Sequence, residues 1–157
     1  MHPTRNDLPE KVRQQVANGL NQLLADVSDL AMQAKQAHWA VKGPTFIALH
    51  KLFDEVHEHA GEWADELAER VAQLGGQAQG TLQAAAKNTR LEAYPLDLVA
   101  EKGHVERLAH SLATFGSYVR AAIDEFDTHG DADSADLATQ ISRAVDKDLW
   151  FVESHLG

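Results

Sequence analysis

The stretch FIALHKLFDEVHEHAGEWADELAERVAQL, residues 46–74, decides the fold. Turning each residue by about 100° along a helix separates two faces. Leu49, Leu52, Phe53, Val56, Ala60, Trp63, Leu67 and Val71 form one arc. Asp54, Glu55, Glu58, Glu62, Asp65, Glu66 and Glu69 form the opposite one. Gly43-Pro44 breaks the chain before the stretch and Gly75-Gly76 after it, so an amphipathic helix is expected from about Phe46 to Leu74. A solvated helix face normally mixes signs, because acid–base pairs four residues apart support the helix. Here only Lys51 and an expected Glu66–Arg70 pair offset the acids. Gly61, near the centre, costs about 1 kcal/mol relative to alanine. A close helix crossing is the expected reason for it.

The rest of the chain reads the same way. Prolines stand only at 3, 9, 44 and 95, and no sustained strand-like alternation occurs between them. A first helix is expected from about Glu10 to Val41, with Val16, Leu20, Leu23, Leu24, Val27, Leu30 and Ala34 as its apolar stripe. Residues 75–100 form a connection, with a short helix expected after Pro95. A further helix covers about Glu101 to Phe126, its core face including Val105, Leu108, Leu112, Phe115, Val119 and Ile123. The last is expected to begin near Asp133-Ser134, a good N-cap, and to run to about Ser154. Four long helices with one long connection in the middle describe an all-α, ferritin-like four-helix bundle. Residues 1–157 read as one domain with a short extension at 1–9, without internal repeats.

Composition sets limits. Apolar residues make up 44 % of the 157, which argues against disorder. No run of about 20 apolar residues exists, so no membrane span is expected. The N-terminus lacks an apolar h-region, so no signal peptide is expected. The absence of cysteine excludes disulfides and thiolate metal sites and suits a cytoplasmic location. A net charge of −10 opposes the phosphate backbone of DNA.

Within the acidic arc the spacing carries chemistry. His50 and Asp54 are four residues apart, as are Asp65 and Glu69, so each pair shares a helix face. His38 precedes the Gly43-Pro44 break. Imidazole with carboxylate is a ligand set of non-haem iron. Asp54 and Asp65, however, lie about 16 Å apart along one helix. Both pairs of a single helix cannot close one centre. Two copies packed antiparallel about a two-fold axis can: Asp54 then faces Asp65 of the second copy, and His50 faces Glu69.

Four runs resemble one known family: Lys35-Gln36-Ala37-His38-Trp39, Gly43 to His50, Ala68 to Gly76, and Asp146-Lys147-Asp148-Leu149-Trp150-Phe151. In this order and spacing, the chain is similar along essentially its whole length to the Dps proteins, or miniferritins, of the ferritin-like superfamily. The resemblance implies a hollow dodecamer with ferroxidase centres at two-fold interfaces. His38, His50 and Asp54 of one subunit and Asp65 and Glu69 of another would hold two irons there. It implies oxidation of Fe(II) to Fe(III), with hydrogen peroxide as the preferred oxidant, and storage of ferric mineral in protection against oxidative stress. Glu55, Glu58 and Glu62 are then candidate nucleation sites. Asp133 and Asp136 are candidates for an acidic iron-entry pore. Lys51 beside His50 would thin out the nucleation sites. The lysine-rich tail through which the family usually binds DNA is not visible, so weak or absent DNA binding is expected.

Competing readings are specific. A DNA-condensing nucleoid protein with a minor iron role is the alternative. A ferritin with an intrasubunit di-iron centre would need two Glu-x-x-His motifs; Glu101-Lys102-Gly103-His104 stands alone and reads as coincidence. Trp39 reads as interface packing, with a role as a nearby electron donor the minority view. His57 and His59 read as surface or interface histidines. The aspartates at 131, 133 and 136 could instead serve to cap a helix and complement its dipole.

Overall fold

The computed structural model describes residues 1–157. Five helices follow one another: α1 Glu10–Ala40, α2 Phe46–Gln73, α3 Leu82–Asn88, α4 Glu101–Thr128 and α5 Ala132–Glu153. The four long ones form two hairpins, α1 with α2 and α4 with α5, closed by α1 against α4 and α2 against α5. No helix is long and apolar enough to cross a membrane. The expected stripes point inward. Val16, Leu20, Val27 and Leu30 of α1, Phe53 and Leu67 of α2, Leu108, Leu112 and Phe115 of α4, and Ile141 and Val145 of α5 are fully buried in one core.

Helix ends follow local chemistry. Gly75 and Gly130 take φ near +80°, the left-handed conformation that closes a helix. The amide after each donates back five residues, Gly76 to Val71 and Asp131 to Phe126. Two expectations need correction. The short helix lies before Pro95, not after it. Thr81 caps it by accepting from the Ala84 amide (3.2 Å), and Leu82-Gln83-Ala84-Ala85-Ala86-Lys87 supplies good helix formers. The last helix is capped by Asp131 rather than by Asp133-Ser134. The Asp131 carboxylate accepts from the Ser134 amide (3.1 Å) and hydroxyl (2.6 Å).

Polar pins hold the long connection. Asp26, fully buried on α1, accepts from the Arg90 guanidinium (2.6 and 3.0 Å) and amide (2.7 Å). Gln33 donates to the Glu92 carbonyl (3.0 Å). At the far end, the Thr45 amide donates to the Glu101 carboxylate (3.1 Å), and a Cβ at Gly43 would collide with that carboxylate. Glu101 thereby locks the α1–α2 turn that carries the two histidines discussed next.

Candidate metal centre

His38 closes α1 and His50 opens α2, and the turn between them brings the rings together. They stack with centroids 3.7 Å apart, tilted by 21°. Each ring is oriented by the other residue's backbone. His38 Nδ1 donates to the His50 carbonyl (2.6 Å), and His50 Nδ1 donates to the His38 carbonyl (2.8 Å). A carbonyl only accepts, so both Nδ1 atoms carry the proton and both Nε2 lone pairs are left for another partner. This is the outer-shell arrangement that fixes metal-binding imidazoles. The Phe46 ring, 5.0 Å from that of His50, backs the pair.

Asp54 lies one turn beyond His50. Its carboxylate is bound by the Lys35 ammonium, which reaches across from α1. The Lys35 hydrogen bond holds Asp54 below the ordinary carboxylate range; burial opposes this, and the charges of His38, Lys35 and His57 reinforce it. Lys51, the cation expected to thin out the nucleation sites, is exposed and makes no ion pair. Only packing of α1 on α2 brings Lys35 to Asp54.

Asp65 and Glu69 lie further along the same helix, exposed, with no basic partner in the chain. Glu55, Glu58 and Glu62 are likewise exposed and unpaired. The expected Glu66–Arg70 pair does not form. Arg70 turns to Asp131 (2.8 Å) and the Ser134 hydroxyl (2.9 Å), while Glu66 accepts from Gln140 (3.1 Å). Satisfying the buried helix cap takes the guanidinium away from the acidic face. Nor does Gly61 mark a close crossing within the chain, since a Cβ there would meet nothing within 4 Å.

The structure therefore stacks His38 on His50 and places Asp54 one helical turn from His50 in the grip of Lys35, with Asp65 and Glu69 further along α2. Within one chain, no three histidine or carboxylate side chains stand grouped as a metal-binding cluster. Asp133 and Asp136 share a cavity of about 410 Å³ with Glu66, Glu69, Arg70 and Gln73. The candidate entry residues thus lie beside one of the candidate ligands, a proximity the linear sequence hides. Trp39 is 61 % exposed, so it contributes little to packing within its own chain.

The remaining histidines separate by environment. His104 is buried against the Tyr94 hydroxyl (2.8 Å) while Glu101 accepts from the Thr45 amide, so the Glu-x-x-His pair is engaged elsewhere on both sides. His57 Nδ1 donates to the Ala31 carbonyl (2.8 Å), an internal bond rather than a free surface position. His59 Nδ1 meets both carboxylate oxygens of Asp148 (2.9 and 3.1 Å), a pairing across 89 residues that no local pattern signals.

Comparison with known proteins agrees with this architecture. A ferritin-like domain family matches residues 17–157. The DNA protection during starvation protein of Agrobacterium fabrum is 45 % identical over 155 residues, covering 99 % of this chain and 96 % of its own length. The solved structure of Dps from Mycobacterium smegmatis superposes with a TM-score of 0.94 at 31 % identity, over 99 % of this chain and 94 % of that one. Dps from Microbacterium arborescens, solved in a high iron form, does so with a TM-score of 0.88 at 33 % identity, over 98 % and 97 %. The chain belongs to the Dps family of ferritin-like proteins.

Proposed function

We propose that this protein oxidises ferrous iron at a centre shared by two copies and stores the ferric product inside a hollow dodecamer. The observation that carries the reading is the reciprocal histidine clamp, which commits both Nδ1 atoms and leaves the Nε2 atoms of His38 and His50 without a partner in the chain. With the α2 helices of two copies antiparallel, Asp65 and Glu69 of the second copy complete the ligand set. Neither carboxylate has a basic partner within its own chain, as ligands awaiting a cation should not. The high iron form of the Microbacterium arborescens relative supports iron as the cargo.

Iron is the substrate here. Hard carboxylate oxygens stabilise iron(III) over iron(II) by supplying negative charge. Lys35 holds Asp54 in the free protein and must release it when iron enters, one cation replacing another. Two ferrous ions give one electron each to a single hydrogen peroxide; the O–O bond breaks, two protons are taken up and two waters form. Pairing the electrons avoids the one-electron step that releases hydroxyl radical. Asp133 and Asp136 admit the cation, because aspartate rings concentrate positive ions. Glu55, Glu58 and Glu62 then bind ferric iron and seed the mineral. A DNA-condensing role is disfavoured by the net charge of −10.

The test is anaerobic ferrous loading of the apoprotein, followed by peroxide, with ferric absorbance and trapped hydroxyl radical read together. Rapid oxidation of about two irons per peroxide, with little radical, is expected. Slow oxidation with abundant radical would show that the five residues form no working centre.

A further inference from the structure

The His59–Asp148 pair has no part in the centre just proposed. At about 100° per residue, His59 lies some 140° around α2 from Asp54, on the side that packs against α5. Asp148 is 2 % exposed, and its only hydrogen-bond partner is the His59 Nδ1–H, which meets both carboxylate oxygens. Burying a carboxylate is costly unless positive charge compensates it. Burial accordingly pushes the Asp148 carboxyl up, and the hydrogen bond and charge of His59 oppose that rise.

With Nδ1 committed to Asp148, the other ring nitrogen of His59 is the one left to bind. His59 lines a cavity of about 260 Å³ in the α2–α5 groove, together with Glu62, Trp63, Glu66, Lys147 and Asp148. Glu66 is engaged by Gln140, whereas Glu62 has neither a hydrogen bond nor an ion pair. Glu62 follows His59 by three residues, so the two share a helix face. Trp63, its ring 6.2 Å from that of His59, gives the cavity an apolar wall. A carboxylate behind a histidine, with a second carboxylate beside it, is the layout that orients imidazole toward a divalent metal.

We propose that His59, aimed by Asp148, and Glu62 form a second binding site for a divalent transition-metal cation, separate from the two-fold centre. Two protein donors hold the ion and water completes its shell, in keeping with the absence of any three-residue ligand cluster in the chain. Lys147 is the competing cation in the same cavity. The site rests on the proposed function only for the identity of ferrous iron as its natural cargo; cation capture itself does not depend on iron oxidation.

The experiment uses the full-length oligomer carrying His50→Ala and Asp54→Ala, which disables the two-fold centre. Cobalt(II) is titrated anaerobically, with bound metal counted by equilibrium dialysis and ligation followed by visible absorption. The expected result is one cobalt per subunit with a nitrogen-donor absorption signature, over and above any held by pore and nucleation carboxylates, that disappears when His59→Gln is added; this change keeps a donor for Asp148 but removes the ring nitrogen. Asp148→Asn should weaken that cobalt by about 10- to 100-fold. Cobalt stoichiometry and affinity unchanged by both His59→Gln and His59→Ala would overturn the proposal. Wild-type iron oxidation is read independently, so either proposal can fail alone.

Discussion

The two ends of the acidic face of α2 are built differently. At the N-terminal end the orienting contacts lie within the chain: His38 and His50 fix each other's rings through Nδ1, and Lys35 pairs with Asp54. At the C-terminal end Asp65 and Glu69 stand exposed, four apart and without a cation. Like charges at that spacing cost a few tenths of a kcal/mol. On the function proposed above, the first end is preorganised to receive an ion and the second holds ligands whose complement lies on another copy. The contrast teaches that half of such a site would look like structure and the other half like an unfavourable surface.

The largest expected effect comes from separating the two ends onto different subunits. His50→Ala with Asp54→Ala should abolish rapid iron oxidation, and so should Asp65→Ala with Glu69→Ala. Subunits of the two kinds, dissociated and reassembled together, should recover about a quarter of the wild-type centres by random pairing in two-fold dimers. The recovered activity would be measured as the fast phase of ferric absorbance. If the mixture stays as inactive as its parents, while sizing shows mixed oligomers, the two ends do not meet across an interface.

Gly61 offers the next test. It lies between the two ends, on the exposed side of α2, and a Cβ there touches nothing in its own chain. Glycine is a poorer helix former than alanine by about 0.8–1 kcal/mol and leucine ranks next to alanine, so Gly61→Leu should leave the isolated subunit at least as helical. Against an antiparallel copy of α2 the added side chain should prop the helices apart. Sedimentation should show smaller species with unchanged far-UV circular dichroism. A fully assembled, fully active Gly61→Leu oligomer would remove this face from the interface.

A smaller effect is expected at Lys35. Partly exposed ion pairs contribute about 0–1 kcal/mol, so Lys35→Met, which frees Asp54, should tighten anaerobic ferrous binding by up to about five-fold. Weaker binding would mean that Lys35 positions Asp54 for iron instead of competing with it.

These contrasts also show what the sequence made legible. The helical periods placed the four long helices within a residue or two, because apolar stripes and glycine stops are local signals. The spacing of His50, Asp54, Asp65 and Glu69 makes a two-copy centre an expectation, because a helix converts residue spacing into distance; the subunit mixing above is its test. The rest depends on what folding brings together. Thr81 and Asp131 cap helices through side-chain bonds that compete poorly, on paper, with neighbouring Pro95 and Asp133-Ser134. Lys35 reaches Asp54, and Asp148 reaches His59, only because helices distant in sequence pack side by side. Arg70 leaves Glu66 because the buried Asp131 cap outbids an exposed pair.

The smallest prediction sets a histidine of another kind beside those of α2. His104 shares the Glu-x-x-His spacing with Glu101 but is buried, and burial holds its pKa below the ordinary 6.5. In the unfolded chain it takes up a proton near pH 6.5; in the folded chain it resists doing so. Between those two pKa values the unfolded state binds more protons, so stability falls as pH falls. The loss begins near pH 6.5 and is complete once pH drops below the folded value. His104→Gln, which keeps a polar partner for the Tyr94 hydroxyl without titrating, should flatten the acid limb of a stability–pH curve measured by denaturant unfolding. Iron oxidation near neutral pH should be unaffected. An unchanged acid limb would mean that His104 does not drive it, whereas lost iron oxidation would tie this histidine to the chemistry after all.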